Sequence, residues 1–253
     1  MSLYDILLLF AFIGGTTGLS LSVYFLARLA ARSAEHERHR EVATSMVVRI
    51  GALQGLILAL VFAQEMAAYQ RLEAVISTEA SAIADVFNDA GRYGDDASAS
   101  IRRELVAYLE VVTGDEWQRL GNTGDLSPAA WERWDQAYRT VLQLEPRSAG
   151  QSALHDHMIA QMHAVATARD QRARYGASTI LPFFWLAALS GVVLISGGYY
   201  VYPPERQNIV LMGLFNAYTG IILYMIYAFS NPFLAPAALQ PEPLSRLLRA
   251  ISA

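Results

Sequence analysis

The chain has 253 residues, 54% of them hydrophobic and only 17% charged, a balance too apolar for an ordinary soluble domain of this length. It contains no cysteine, which excludes a disulfide framework, thiolate chemistry and any cysteine-ligated metal or iron–sulfur centre. The net charge is -4 and every basic side chain other than histidine is an arginine, so there is no overall attraction for nucleic acid.

The apolar residues fall in two blocks near the N-terminus and two near the C-terminus, with a long charged stretch between them. A helix needs about 20 mostly apolar residues to cross the hydrocarbon core, because backbone amides in lipid must find partners within the segment. The first such segment runs from Ile6 to Leu26; Asp5 stands where a cleaved signal peptide would carry Lys or Arg, so this helix is read as retained. The connector that follows interleaves Glu35, Glu37 and Glu41 with His36, Arg38, His39 and Arg40, as on a solvated helix.

The second span covers Met46 to Phe62 and is the least apolar, since it contains Arg49 and Gln54. Ionisable and amide side chains in a span point to function, although Arg49 lies close enough to the helix start to reach the headgroups. Gly51, Gly55, Ala59 and Ala63 recur every fourth residue on this helix. Such a bare face admits close helix packing within one subunit, contact between subunits, or the lining of a pore. Gly14, Gly18 and Ser22 repeat the pattern on the first span, and Gly213, Ala217 and Gly220 repeat it loosely on the fourth.

Beyond the membrane the second helix continues from Ala67 to about Asp89, with Leu72, Ile76, Ile83 and Phe87 on one stripe. Glu79 interrupts that stripe and therefore needs a partner inside the domain; Arg169 and Arg172 are the available cations, and the expected structural ion pair is Glu79 with Arg172. Gly91 to Gly94 breaks the helix, and Asp95 or Asp96 caps the next one, which carries Ile101, Leu105 and Leu109 and ends near Gly114. Ser127-Pro128 starts a helix with Trp131, Trp134 and Tyr138, and a last helix with Leu154, Met158, Met162 and Val165 leads to the third span. The third span covers Ile180 to Val201 and the fourth Ile209 to Phe229, joined as a hairpin by Pro203 and Pro204.

The expected fold is an all-α integral membrane protein: four transmembrane helices with a helical soluble domain inserted between the second and third. The divisions are residues 1–66 (two spans and their connector), 67–178 (helical domain), 179–230 (two spans) and 231–253 (C-terminal tail). Arginines near the membrane ends are almost equally divided between the two sides, so the charge rule leaves orientation open. His155, His157 and His163 have no spacing that would converge them on a metal, and there is no glycine-rich phosphate loop after a strand, no nucleophile elbow and no carboxylate pair in a cleft-forming context. The chain is accordingly read as a non-enzyme without a cofactor, its partner on this reading being membrane lipid.

In order along the chain, Gly51-Ala52-Leu53-Gln54-Gly55-Leu56-Ile57-Leu58-Ala59-Leu60-Val61-Phe62, Glu79-Ala80, Glu116-Trp117, Arg169-Asp170-Gln171-Arg172, Leu181-Pro182-Phe183-Phe184-Trp185 and Asn231-Pro232-Phe233 resemble the bacterial bestrophin-like membrane family, whose members are mostly of unknown function. The resemblance spans nearly the whole chain. It implies a layout like that of the pentameric bestrophin anion channels: an inner-membrane homo-oligomer with cytoplasmic termini and helical domain, second-span helices ringed around a pore, and chloride or another small anion as the permeant species. On that reading Arg49, Gln54, Leu58, Val61 and Phe62 are pore or constriction candidates, while Gly51, Gly55, Ala59 and Ala63 form a packing or oligomer face. The acidic calcium clasp of bestrophins has no counterpart here, and their neck pattern is not reproduced residue by residue. A non-conducting scaffold or sensor, whose helical domain binds a partner, is the alternative expectation.

Overall fold

The computed structural model describes residues 3–31, 40–94, 96–176 and 182–252, and among them every regular element is helical. The connector between the first two spans, the Asp95 cap, and the first residues of the third span, Ile180 and Leu181, lie outside the described residues. The chain divides into two compact units, Met1–Ala67 with Thr179–Ser230, and Ala68–Ser178 with Asn231–Ala253.

The first unit holds α1 (Leu3–Ala30), the first part of α2 (Arg40–Tyr93), α7 (Pro182–Gly198) with a single 3₁₀ turn (Tyr199–Val201), and α8 (Arg206–Phe229). Four helices, α1, α2, α7 with its 3₁₀ turn, and α8, are long and apolar enough to cross a membrane. With no hydrophobic preference for protein over lipid, their association depends on close approach and on polar contacts. Gly220 supplies the first: a Cβ added there would lie 2.6 Å from Thr16 Oγ1 and 2.8 Å from Ile13 Cα. Gly14 and Gly18, read as part of a packing face, have nothing within 4 Å of such a Cβ, so the approach of α1 to α8 uses the glycine on α8.

Polar contacts tie the same helices together. Asn216 Nδ2 donates to Ser20 Oγ at 2.8 Å, Ser20 and Ser196 hydroxyls are 2.7 Å apart, and Ser196 donates to Val192 O at 2.6 Å. Each hydroxyl in this chain donates once, so α1, α7 and α8 are linked with one donor per acceptor. Thr16 Oγ1 adds a contact to Asn216 O at 3.0 Å.

The second unit contains the remainder of α2, α3 (Asp96–Val111), a π turn (Val112–Glu116), α4 (Trp117–Asn122), α5 (Pro128–Leu142), α6 (Ala149–Gly176) and α9 (Glu242–Ile251). Its core interleaves Ile76 and Ile83 of α2, Ile101, Leu105 and Leu109 of α3, Val141 of α5, and Met158, Met162 and Val165 of α6. Gly94, with φ +79°, ends α2 in the left-handed region that a side chain disfavours.

Two expectations change here. The helix expected to end near Gly114 instead runs through it as the π turn and continues into α4, and Val112 and Glu116 of that turn are buried. Residues 231–253, set apart above as a C-terminal tail, group with this unit: Phe233 packs edge-on against Trp117 at 5.0 Å, Trp117 Nε1 donates to Leu239 O at 3.1 Å, and Leu244 is fully buried. Ser127 occupies the cap position of α5, but its hydroxyl contacts Asp115 Oδ2 at 2.9 Å instead of the helix's own amides.

Candidate functional site

Two places concentrate polar chemistry where apolar packing would be simpler: the spanning part of α2, and the interior of the helical unit.

Within the span, α2 turns one side towards its own subunit. Gln54 and Leu58 are buried; Leu58 packs with Ala188, Leu223 and Ile226, and Val61 and Phe62 lean on the same cluster. Gln54 Nε2 donates to Ala188 O at 3.3 Å, beside Gly191, where an added Cβ would meet the Gln54 side chain at 2.6 Å. The other sides of the helix are uncovered by the chain itself, since Arg49, Ala52, Gly55, Leu56, Ala59, Leu60 and Ala63 are all exposed. Gly51 alone of the small-residue series is partly covered, and a Cβ added to it would lie 3.9 Å from Ile195 Cδ1. The five pore candidates thus fall on two different sides: Arg49 on the uncovered one, and Gln54, Leu58, Val61 and Phe62 against α7 and α8 of the same subunit.

The second place is a closed charge cluster. Arg172 has no exposed surface; its Nε lies 3.0 Å from Glu79 Oε2 and its Nη2 lies 2.6 Å from Glu116 Oε1. Arg169, also buried, places Nη2 2.5 Å from Glu116 Oε2 and 2.7 Å from Ser127 O. Tyr108 donates to Glu79 Oε1 at 2.6 Å, and the Ser127 amide donates to Glu116 Oε2 at 2.8 Å. Two carboxylates and two guanidinium groups therefore balance in charge, drawn from α2, the π turn and α6.

Electrostatics follow from enclosure. Burial alone would lower the Arg172 pKa, but the fields of Glu79, Tyr108 and Glu116 outweigh it and hold the guanidinium charged more firmly than in water. Tyr108 is pushed well above the ordinary tyrosine value, first by burial and then by the neighbouring Glu79 charge. Arg172 also lies over the Trp117 ring, 5.7 Å from its centroid, and its Nη1 has no protein partner. Such an atom is of the kind a buried water satisfies.

Glu116 is the member that sequence periodicity did not single out. The π turn inserts one extra residue between α3 and α4, which shifts the phase of the helix and turns Glu116 inward. Arg169 and Arg172, one turn apart, were the available signal that two acids rather than one required partners. The histidines stay apart: His157 contacts Asp89, His163 contacts Tyr138, and His155 contacts Val141 O. Among the described residues no group of three metal-ligating side chains converges.

Four helices of spanning length, joined by packing glycines and internal polar contacts, together with a helical unit organised on buried charge, define an all-helical membrane protein. A family model described as the bestrophin-like domain matches residues 14–244, and the chain belongs to the bestrophin-like family. Among solved structures it is similar to a bacterial bestrophin homologue from Klebsiella pneumoniae bearing an isoleucine-to-threonine mutation. The two share 12% identity, with 95% of this chain and 99% of that chain covered and a TM-score of 0.65, a likeness of fold. No curated protein matches the chain.

Proposed function

We propose that this protein is the subunit of an oligomeric ion channel in the bacterial inner membrane, pentameric by its resemblance to bestrophins, with the conducting path along the uncovered side of α2. The supporting observation is the division of that helix: Gln54 and Leu58 are buried in the subunit, whereas Arg49, Ala52, Gly55, Ala59 and Ala63 are left exposed by it. Small side chains leave room at an axis, and the exposed guanidinium of Arg49 favours anions such as chloride at one end. The helical unit and both termini are assigned to the cytoplasm.

One observation favours the second reading, a non-conducting scaffold or sensor. Between Arg49 and Gln64 the exposed residues of α2 are all apolar, which gives water no hydrogen-bonding partner along the span. Bilayer recording distinguishes the two. Purified protein is expected to carry a chloride current, with Arg49→Gln lowering anion preference in the reversal potential and Ala59→Trp reducing conductance while the oligomer persists in native mass measurements. An intact ring that never conducts would move the assignment to the scaffold.

Orientation is tested on the cysteine-free background. A cysteine in place of the exposed Ser148 is expected to resist an impermeant thiol reagent in spheroplasts and to react once the membrane is opened. Reaction in intact spheroplasts would place the helical unit outside.

A further inference from the structure

At one end of the membrane unit, the end of α1, the start of α2 and the turn between α7 and α8 meet around Tyr202. Tyr24 OH donates to Tyr202 O at 2.9 Å, and the Tyr202 hydroxyl lies 2.7 Å from Thr44 Oγ1. Arg28 Nη1 donates to Tyr200 O at 3.1 Å and to Tyr202 O at 2.7 Å. The Arg40 guanidinium lies over the Tyr202 ring, 5.2 Å from its centroid, and Tyr199 packs on the same ring at 5.3 Å.

Among the described residues the charges here do not balance. Every contact made by Arg28 and Arg40 among the described residues is to a neutral oxygen or a ring face, and no described carboxylate forms an ion pair with either of them or with Arg206 at the start of α8. Glu41 and Glu205 are close in sequence, yet both are exposed and neither pairs with these arginines. This is the opposite of the helical unit, where every buried guanidinium faces a carboxylate. Tyrosines gathered at the end of spanning helices mark the headgroup level of a membrane, where the abundant anion is the phosphodiester of a lipid.

We infer that Arg28 and Arg40, set around Tyr202, form a binding site for the phosphate headgroup of an anionic phospholipid. Arg28 is held in place by the two carbonyls, and Arg40 stands exposed over the Tyr202 ring, so the one tyrosine gathers two guanidinium groups for a phosphate at the membrane surface. The site does not depend on whether the protein conducts.

The test uses the full chain in nanodiscs of phosphatidylcholine containing increasing phosphatidylglycerol, with retained lipid read by native mass spectrometry and the unfolding midpoint read in parallel. Wild-type protein is expected to retain phosphatidylglycerol preferentially and to unfold at higher temperature as its fraction rises. Arg40→Gln keeps the Arg28 bonds that tie the turn together and should lower that preference about fivefold; adding Arg28→Gln should abolish it. Equal retention of the two lipids by wild type, or an undiminished preference in Arg40→Gln, would overturn the site. The same loss in Arg246→Gln, an exposed arginine of the other unit, would reduce the effect to overall charge and overturn it too. Stabilisation by inorganic phosphate in detergent, equal to that by the lipid, would replace the lipid with a soluble anion and defeat the assignment.

Discussion

Arg172 and Glu79 face each other in an interior closed to bulk solvent, with Nε 3.0 Å from Oε2 across 93 residues of chain. Glu79 belongs to α2 and Arg172 to α6, so this contact fixes the register of two long helices. Such a pair contributes little to net stability, because desolvating both charges offsets their attraction; losing one partner is another matter.

Glu79→Gln is therefore expected to destabilise the helical unit by about 3–5 kcal/mol, since it strands part of a buried cation. Glu79→Met combined with Arg172→Met and Tyr108→Phe should recover most of that loss, since no donor to Glu79 is then left stranded, although Glu116 keeps only Arg169. Urea unfolding of the detergent-solubilised protein, followed by tryptophan fluorescence, measures both. A Glu79→Gln variant within about 1 kcal/mol of wild type would remove the pair's structural importance.

Tyr108 gives the cluster an alkaline limit. Its ionisation is pushed upward in the folded state, whereas in the unfolded chain it titrates near 10. Below pH of about 10 both states hold the proton and the contribution is fully present; above it the unfolded state loses the proton first and stability falls with rising pH. Tyr108→Phe should start less stable, because Glu79 loses a donor, but should show a shallower decline between about pH 9 and 11. Parallel slopes for the two proteins would show that another group sets the limit.

Much of this architecture was legible in the sequence, because hydropathy and the 3.6-residue period report directly which side of a helix avoids water. The four long apolar segments, the Leu72, Ile76, Ile83 stripe and the unpaired acid at Glu79 belong to that class. Glu116 did not, since the π turn shifts the helical phase at the residue that matters, and Gly114 read as a stop. The docking of Phe233 on Trp117 is a long-range contact with no local pattern. Gln54 shows the sharpest limit: an amide on an apolar helix signals a need for a partner, and periodicity does not say whether that partner is water in a path or the Ala188 carbonyl.

Close approach in the membrane unit is a separate target. Gly220→Leu would force atoms into Thr16 and the α1 backbone, where even a Cβ would be 2.9 Å from Phe12 O. Overpacking of this kind costs about 1–3 kcal/mol or more and should lower the melting temperature in detergent. Gly14→Ala meets nothing within 4 Å and relieves the helix of a glycine, so it should be neutral or stabilising by up to about 1 kcal/mol. A reversed order of the two variants would contradict the α1–α8 contact.

Gln54 separates packing from conduction. Its Nε2 makes one bond, 3.3 Å long, while its Oε1 is buried without a partner, so the amide is only half satisfied. Gln54→Leu removes that unpaired carbonyl and the bond together, and a change that replaces a polar group without orphaning a strong donor should leave stability within about 1 kcal/mol. If the path follows the uncovered side of α2, currents through Gln54→Leu should keep wild-type conductance and selectivity, whereas Arg49→Gln should not. A Gln54→Leu channel with altered selectivity would instead place the amide on the path, which requires α2 to rotate away from α7 in the assembled ring, breaking its contact with Ala188 and opening the space beside Gly191.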